Sequence, residues 1–340
     1  MPADSTPARA PSPDPRHHHD RLAARSVFVA PARAARPHDV GAGVESHAPP
    51  RVTCPFCGGN ETLTPPAVLT APGDETQPWL ARIVPNMYPC AVHAPQAARG
   101  ARAAQEPERP AHGLHEVVIE SATHARSILA VDPTAWREVW ELCRRRLEML
   151  ASREDLAWAT VFKNSGPRAG ASLEHLHSQL VALDFVPPAV ETELAAAALL
   201  SDPFGTMLAE AEATGRVVTE SGDLVLVVPH APRQPFEAWI LPREPEPFFH
   251  TTSRSRVDAL ADLTRHYVER LERLAPAADF NWWLHPLPFG SHAPAALADT
   301  WHWHLEILPR LAHLAGFELA TGCHITTMPP ADAADLLRGA

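Results

Sequence analysis

The sequence predicts an α+β fold in which two copies of one unit pack antiparallel sheets against helices. Two runs share a pattern, His175-Leu176-His177-Ser178-Gln179 and His302-Trp303-His304-Leu305-Glu306, each among apolar, strand-forming residues. The order strand, strand, helix, strand, H-x-H strand occurs twice. Many short strands with few helices, and no G-x-G-x-x-G or P-loop, argue against a doubly wound parallel sheet.

Residues 1–25 are rich in Pro, Ala, Arg and Asp around His17-His18-His19 and read as a disordered tail, in which the triple histidine is a polar segment. The first unit, residues 26–200, opens with a short strand at Ser26 to Ala30 and continues with strands at Leu80 to Val84, Glu116 to Glu120, Ala157 to Phe162 and His177 to Leu183. The stretch from Gln96 to Ala111 reads as an exposed loop. Between Pro133 and Ala151, Trp136, Val139, Trp140, Cys143, Leu147 and Leu150 recur at helical spacing, with Asp132 as N-cap and Pro133 at the first helical position. The second unit, residues 201–340, repeats the plan: strands at Leu224 to Val228 and Phe236 to Leu241, a helix from about Ser255 to Leu274, then strands at Phe280 to Leu284 and Trp301 to Leu308.

Net charge is -11, and Lys163 is the only lysine. A nucleic-acid backbone is therefore not an expected partner, and any phosphate site must be local, built from a few Arg, His or backbone N–H groups. No stretch reaches the roughly 20 apolar residues that span a membrane. Five scattered cysteines do not make a disulfide framework. A cytoplasmic protein is expected.

Cys54-Pro55-Phe56-Cys57-Gly58-Gly59-Asn60 is a C-x2-C knuckle, in which two thiolates can converge on one metal; a redox pair and inert thiols are the competing readings. Structural zinc needs four ligands and there is no second C-x2-C, so histidines must complete the set. For His175 and His177 three roles are open: chelation, nucleophilic attack on phosphorus, or satisfied core histidines. Attack requires an acceptor on one ring nitrogen so that the other presents its lone pair; Gln179 could then steady a phosphoryl oxygen.

The H-x-H-x-Q strand resembles the histidine-triad superfamily. Its combination with C-x2-C-x-G-N, HEVVIE, WHWHLEILPRL and AGFELATG, spanning Ser26 to Arg338, resembles the galactose-1-phosphate uridylyltransferase family. The resemblance implies duplicated histidine-triad-like units and a homodimer. It implies a zinc site of Cys54, Cys57, His124 and His175, with His115 as a rival third ligand. His177 would be the nucleophile and Gln179 would hold the phosphoryl oxygen. Asn164 and Ser172 would hold the nucleotide phosphates, Arg33 and Arg36 would be the family's substrate-binding arginine pair, Asn86 would contact the nucleotide, and Phe317 with Glu318 would hold the sugar. Glu193, His285, His302 and His304 would form a second metal site, iron or zinc, with Glu306 as a further ligand or a partner to the ligands.

Leu176 replaces the proline usual between the histidines, and Ala35, Ala312 and Phe317 replace a basic residue, a lysine and a tyrosine. These departures bear on substrate choice. The implied reaction is ping-pong exchange of UMP between UDP-glucose and galactose 1-phosphate. The alternatives are a phosphorylase acting on ADP-glucose with phosphate, a hydrolase using the same histidine, and a zinc-stabilised nucleotide-binding protein without turnover.

Overall fold

The computed structural model describes residues 14–20, 25–29, 54–73, 78–93 and 108–340. Among these, β1 (Arg16–Asp20) and β2 (Arg25–Val29) precede β3 (Leu69–Ala71), β4 (Ala81–Pro85), β5 (Glu108–Pro110) and β6 (Gly113–Ile119). Helix α1 (Pro133–Ala151), β7 (Trp158–Ser165) and β8 (His177–Leu183) complete the first unit. Helices α2 (Pro188–Ala197) and α3 (Pro203–Ala213) lead to β9 (Val217–Ser221), β10 (Leu224–Val227) and β11 (Ala238–Pro242). Helix α4 (Arg254–Leu274), β12 (Phe280–His285), β13 (His304–Pro309), α5 (Gly316–Thr321) and α6 (Pro330–Gly339) follow.

Ten strands form one antiparallel sheet in the order β3-β4-β6-β8-β7-β12-β13-β11-β10-β9. Read from each outer edge inward, both halves run first, second, third, fifth, fourth in chain order. They meet at β7 and β12, where Asn164 pairs with Asn281 and Lys163 with Trp282. The duplication expected from the motifs is thus the plan of the sheet. The units share one sheet and one main core.

Alternation along the strands divides the core. Ile83, Val118, Leu180, Leu226 and Ile307 face α1 and α4, which lie side by side on one surface of the sheet. Asp132 caps α1, its Oδ1 accepting from the Thr134 and Ala135 amides at 2.8 and 3.2 Å. The helices are joined by Arg137 to Asp262 and by Trp136 Nε1, which donates to Thr264 Oγ1 at 3.0 Å. The opposite surface carries the Cys54–Cys57 knuckle over Val84, Val117 and Ile119 in the first half, and α2 and α3 over Val225, Val227 and Leu241 in the second.

Three expectations differ from the structure. Residues 16–20, assigned to a disordered tail, form β1, paired on one side with β2 and on the other with β5. Buried His17 stacks on Phe185 at 4.5 Å. Glu108–Pro110, placed in an exposed loop, is β5, and Ala111 beside it is buried. Residues 188–213, given no secondary structure, hold α2 and α3.

Candidate active site and metal centres

His177 is the first residue of β8, and His175 lies in the bend before it. His175 thus stands outside the regular strand that begins at His177, although both rings pack on Phe56. His175 turns to the knuckle: Nδ1 lies 3.5 Å from Cys54 Sγ and 3.6 Å from Cys57 Sγ, while its Nε2 donates to the Ser121 carbonyl at 2.9 Å. That hydrogen bond fixes the tautomer in which Nδ1 carries a lone pair aimed at both sulfurs. Burial pushes the His175 ring down to about 4, so it is neutral, as a metal ligand must be. His124 Nδ1 stands 3.4 Å from Cys57 Sγ. Ligand atoms of Cys54, Cys57, His124 and His175 lie within 4.8 Å of one another, a two-sulfur, two-nitrogen set suited to a tetrahedral ion.

His177 donates from Nδ1 to the His175 carbonyl at 2.8 Å, which makes Nε2 the nitrogen with the in-plane lone pair. The residue borders two cavities. One, of about 250 Å³, is lined by Phe56, Val84, Tyr88, Val117, Ser172 and Gln179 and suits a flat ring. The other, of about 630 Å³, has a mixed wall whose polar members include Arg126, Lys163, Asn164, Glu174 and Asp279. A group at the junction of the two can carry a planar base on one side and charged substituents on the other.

Gln179 is oriented by His115, the rival zinc ligand, which lies outside the Cys/His group. The Cys90 amide donates to His115 Nδ1 at 3.1 Å, so the ring proton is on Nε2, which donates to Gln179 Oε1 at 2.9 Å. The amide NH2 of Gln179 is thereby the end offered to a ligand. Asn86 lines the smaller cavity, its Oδ1 accepting from the Tyr88 amide at 2.8 Å. Asn164 lines the larger one, its Oδ1 accepting from Asn281 Nδ2 at 2.8 Å. Phe317 and Glu318 border neither: Phe317 is 52% exposed on α5, and Glu318 Oε2 accepts from the Ala315 amide. Arg33 and Arg36 lie outside the described residues.

The second motif departs from expectation in its ligands. Ligand atoms of Glu193, His285, His304 and Glu306 converge within 4.8 Å. His302 is not in that group; its Nδ1 donates to the Pro242 carbonyl at 2.7 Å and its ring stacks on Phe204. Glu306 takes its place because His302, like His175, precedes the strand, whereas His304 and Glu306 share one face of β13. Glu193 lies 2.9 Å from His285 Nδ1 and 3.1 Å from His304 Nε2, and both buried nitrogens lack a well-formed hydrogen bond. Burial opposes ionisation of Glu193, but the His304 charge and the His285 contact hold its carboxyl well below the usual range. Two carboxylates and two imidazoles make a mixed oxygen and nitrogen donor set for a borderline cation.

The two sites occupy equivalent positions. His304 Nδ1 donates to the His302 carbonyl at 3.1 Å, as His177 does to His175. Gln179 pairs with Phe162 and Val117; Glu306 pairs with Trp283 and Trp239. The positions of His177 and Gln179 in one unit are those of His304 and Glu306 in the other.

The profile of the galactose-1-phosphate uridyl transferase N-terminal domain matches residues 12–187, and that of a domain of unknown function, DUF4921, matches residues 146–338. ADP-glucose phosphorylase of Arabidopsis thaliana is 31% identical over 332 residues, covering 95% of this chain and 92% of that one. Galactose-1-phosphate uridylyltransferase of Thermotoga maritima is 22% identical over 85% of this chain and 90% of its own. A crystal structure of an ADP-glucose phosphorylase from Arabidopsis thaliana with bound ADP-glucose superposes with a TM-score of 0.76 at 29% identity, covering 96% of this chain and 99% of that one. Fold, motif order and whole-length similarity agree: the chain belongs to the galactose-1-phosphate uridyl transferase family.

Proposed function

We propose that the protein transfers the nucleotidyl group of a nucleoside diphosphate sugar through His177, with inorganic phosphate as the acceptor. The observation that carries the reaction type is the His177 Nδ1 hydrogen bond to the His175 carbonyl, which leaves the lone pair on Nε2 of a residue that lines both cavities. Nε2 attacks the α-phosphorus, a phosphorus–nitrogen bond forms, and the sugar 1-phosphate leaves. Its phosphate is already a weak base, so no strong general acid is required. Gln179 and Ser172 hold the phosphoryl oxygens, and positioning supplies most of the rate. An oxygen of phosphate then displaces histidine, so that ADP-glucose and phosphate give ADP and glucose 1-phosphate.

Phosphate is preferred as acceptor because the relative named for that chemistry is 31% identical over nearly the whole chain, against 22% for the uridylyltransferase. Exchange between UDP-glucose and galactose 1-phosphate is the second reading, favoured by the matched family profile. Zinc is assigned to Cys54, Cys57, His124 and His175, where a bound ion ties the knuckle to the strand that presents His177. Iron or zinc is assigned to Glu193, His285, His304 and Glu306. A homodimer belongs to the same reading, since Phe317, Leu319 and Ile325 are all more than half exposed on one C-terminal segment.

The test is incubation with ADP-glucose or UDP-glucose labelled in the α-phosphate, with phosphate, galactose 1-phosphate or neither. Phosphate-dependent release of glucose 1-phosphate and covalent labelling of wild type but not of His177→Gly, with activity falling at least about 1,000-fold, is expected. Release that needs galactose 1-phosphate selects the second reading, and equal labelling of both proteins removes His177 from its role.

A further inference from the structure

Under the nucleophile, on the helix-covered face of the sheet, lies a fully buried ion pair that the proposed reaction does not use. Lys163 and Glu120 are each 1% exposed. Lys163 Nζ donates to Glu120 Oε2 at 2.5 Å and to the His177 carbonyl at 2.9 Å, and Ser178 Oγ donates to Glu120 Oε1 at 2.5 Å. The ladder between β7 and β8 ends at Phe162 and Gln179, although β7 continues to Ser165. The strands part there, and the larger cavity opens between Asn164 and His177. The His177 carbonyl, near the end of that ladder, receives the Lys163 ammonium.

The duplication supplies an internal comparison. Because Phe162 and Trp283 are equivalent, Leu284 occupies the position of Lys163. Because Val117 and Trp239 are equivalent, Pro242 occupies that of Glu120. The second unit folds with apolar residues where the first buries two charges. Burying an ion pair carries a desolvation penalty that apolar residues of similar volume avoid, so the fold alone gives no reason for it.

We infer that Lys163, held by Glu120, is a positioning residue: it fixes the His177 carbonyl, and with it the first turn of chain from His175 to Ser178, so that the His177 ring keeps the orientation needed for in-line attack. This inference rests on His177 being the nucleophile. A 1 Å displacement of a reacting group costs on the order of 100-fold in rate.

The experiment compares wild type with Lys163→Met and with the doubly apolar Lys163→Leu/Glu120→Leu, which leaves no buried charge unpaired. One readout is the single-turnover rate of nucleotidyl labelling beside the dissociation constant for the nucleotide sugar measured on the same proteins. The other is the ¹H–¹⁵N signal of the His177 Nδ1 proton, identified by its loss in His177→Gly. The expected result is a labelling rate about 100-fold lower at nearly unchanged affinity, with the Nδ1 proton exchanging at least about tenfold faster in a double variant that retains its folded far-ultraviolet spectrum. An unchanged labelling rate or an unchanged Nδ1 signal in that variant overturns the inference. If wild type takes no label, the nucleophile assignment fails by itself, and the Nδ1 signal alone then decides whether Lys163 positions the ring.

Discussion

At the scale of single residues, each motif histidine is assigned by the partner of its other ring nitrogen. His175 gives Nε2–H to Ser121 and so turns Nδ1 to sulfur; His177 and His304 give Nδ1–H to a carbonyl two residues back and so turn Nε2 forward. Position separates His302 from Glu306: a Glu306 oxygen converges with the ligand atoms of Glu193, His285 and His304, and no His302 nitrogen does. Removing Glu306 takes an oxygen from the Glu193, His285 and His304 group, whereas removing His302 takes none. Metal analysis of purified variants should therefore find one equivalent less in Glu306→Ala and unchanged content in His302→Ala; the reverse pattern would restore the two histidines as joint ligands. Sequence could place the H-x-H-x-E run in a site but not choose among His302, His304 and Glu306, because a period of two gives all three one face for as long as the strand lasts. Only the chain's entry into β13 after His302 decides it.

Among the elements, legibility followed contrast between apolar and polar positions. α1 and α4, with wide apolar stripes and N-caps, are observed within one residue of the expected ends. α2 and α3 escaped because they are short and their few large apolar residues, interspersed with alanine, give little periodic signal. β1 escaped for the opposite reason: Arg16 to Asp20 is polar throughout, and pairing with β2 and β5 holds it. The segment after β7 shows an element working through its backbone. Gly166 has φ +84°, and a Cβ there would lie 1.9 Å from Asp279 Oδ1, while Asp279 Oδ2 accepts from the Arg168 amide at 2.5 Å. Gly166→Ala must displace Asp279 and the loop that leads from β7 to Ser172. We expect a loss of about 1–3 kcal/mol, read by chemical denaturation, together with weaker nucleotide-sugar binding; an alanine variant equal to wild type in both would show that the loop adapts freely.

For the molecule as a whole, the repeated motifs correctly announced a duplicated unit, yet the sequence could not show that the copies would merge. The joining strands, β7 and β12, are buried in the centre of the sheet and look like any others in composition; what unites the halves is their pairing and the shared packing of α1 on α4. Neither half can unfold without exposing the middle of the other's sheet and core. Calorimetry of the metal-loaded protein should show one cooperative transition, with coincident loss of tryptophan fluorescence and far-ultraviolet dichroism; two resolved transitions would mean that the copies remain thermodynamic units. No helix among the described residues is long and apolar enough to cross a membrane.

The lone lysine has one more consequence. Since Lys163 is buried beneath the His177 backbone, the folded surface of these 340 residues offers no lysine amine to acylating reagents. Its modification requires the ammonium to leave Glu120 and the His177 carbonyl, so the rate at which an amine-reactive probe enters Lys163 counts the openings of that contact, with no label introduced by mutation.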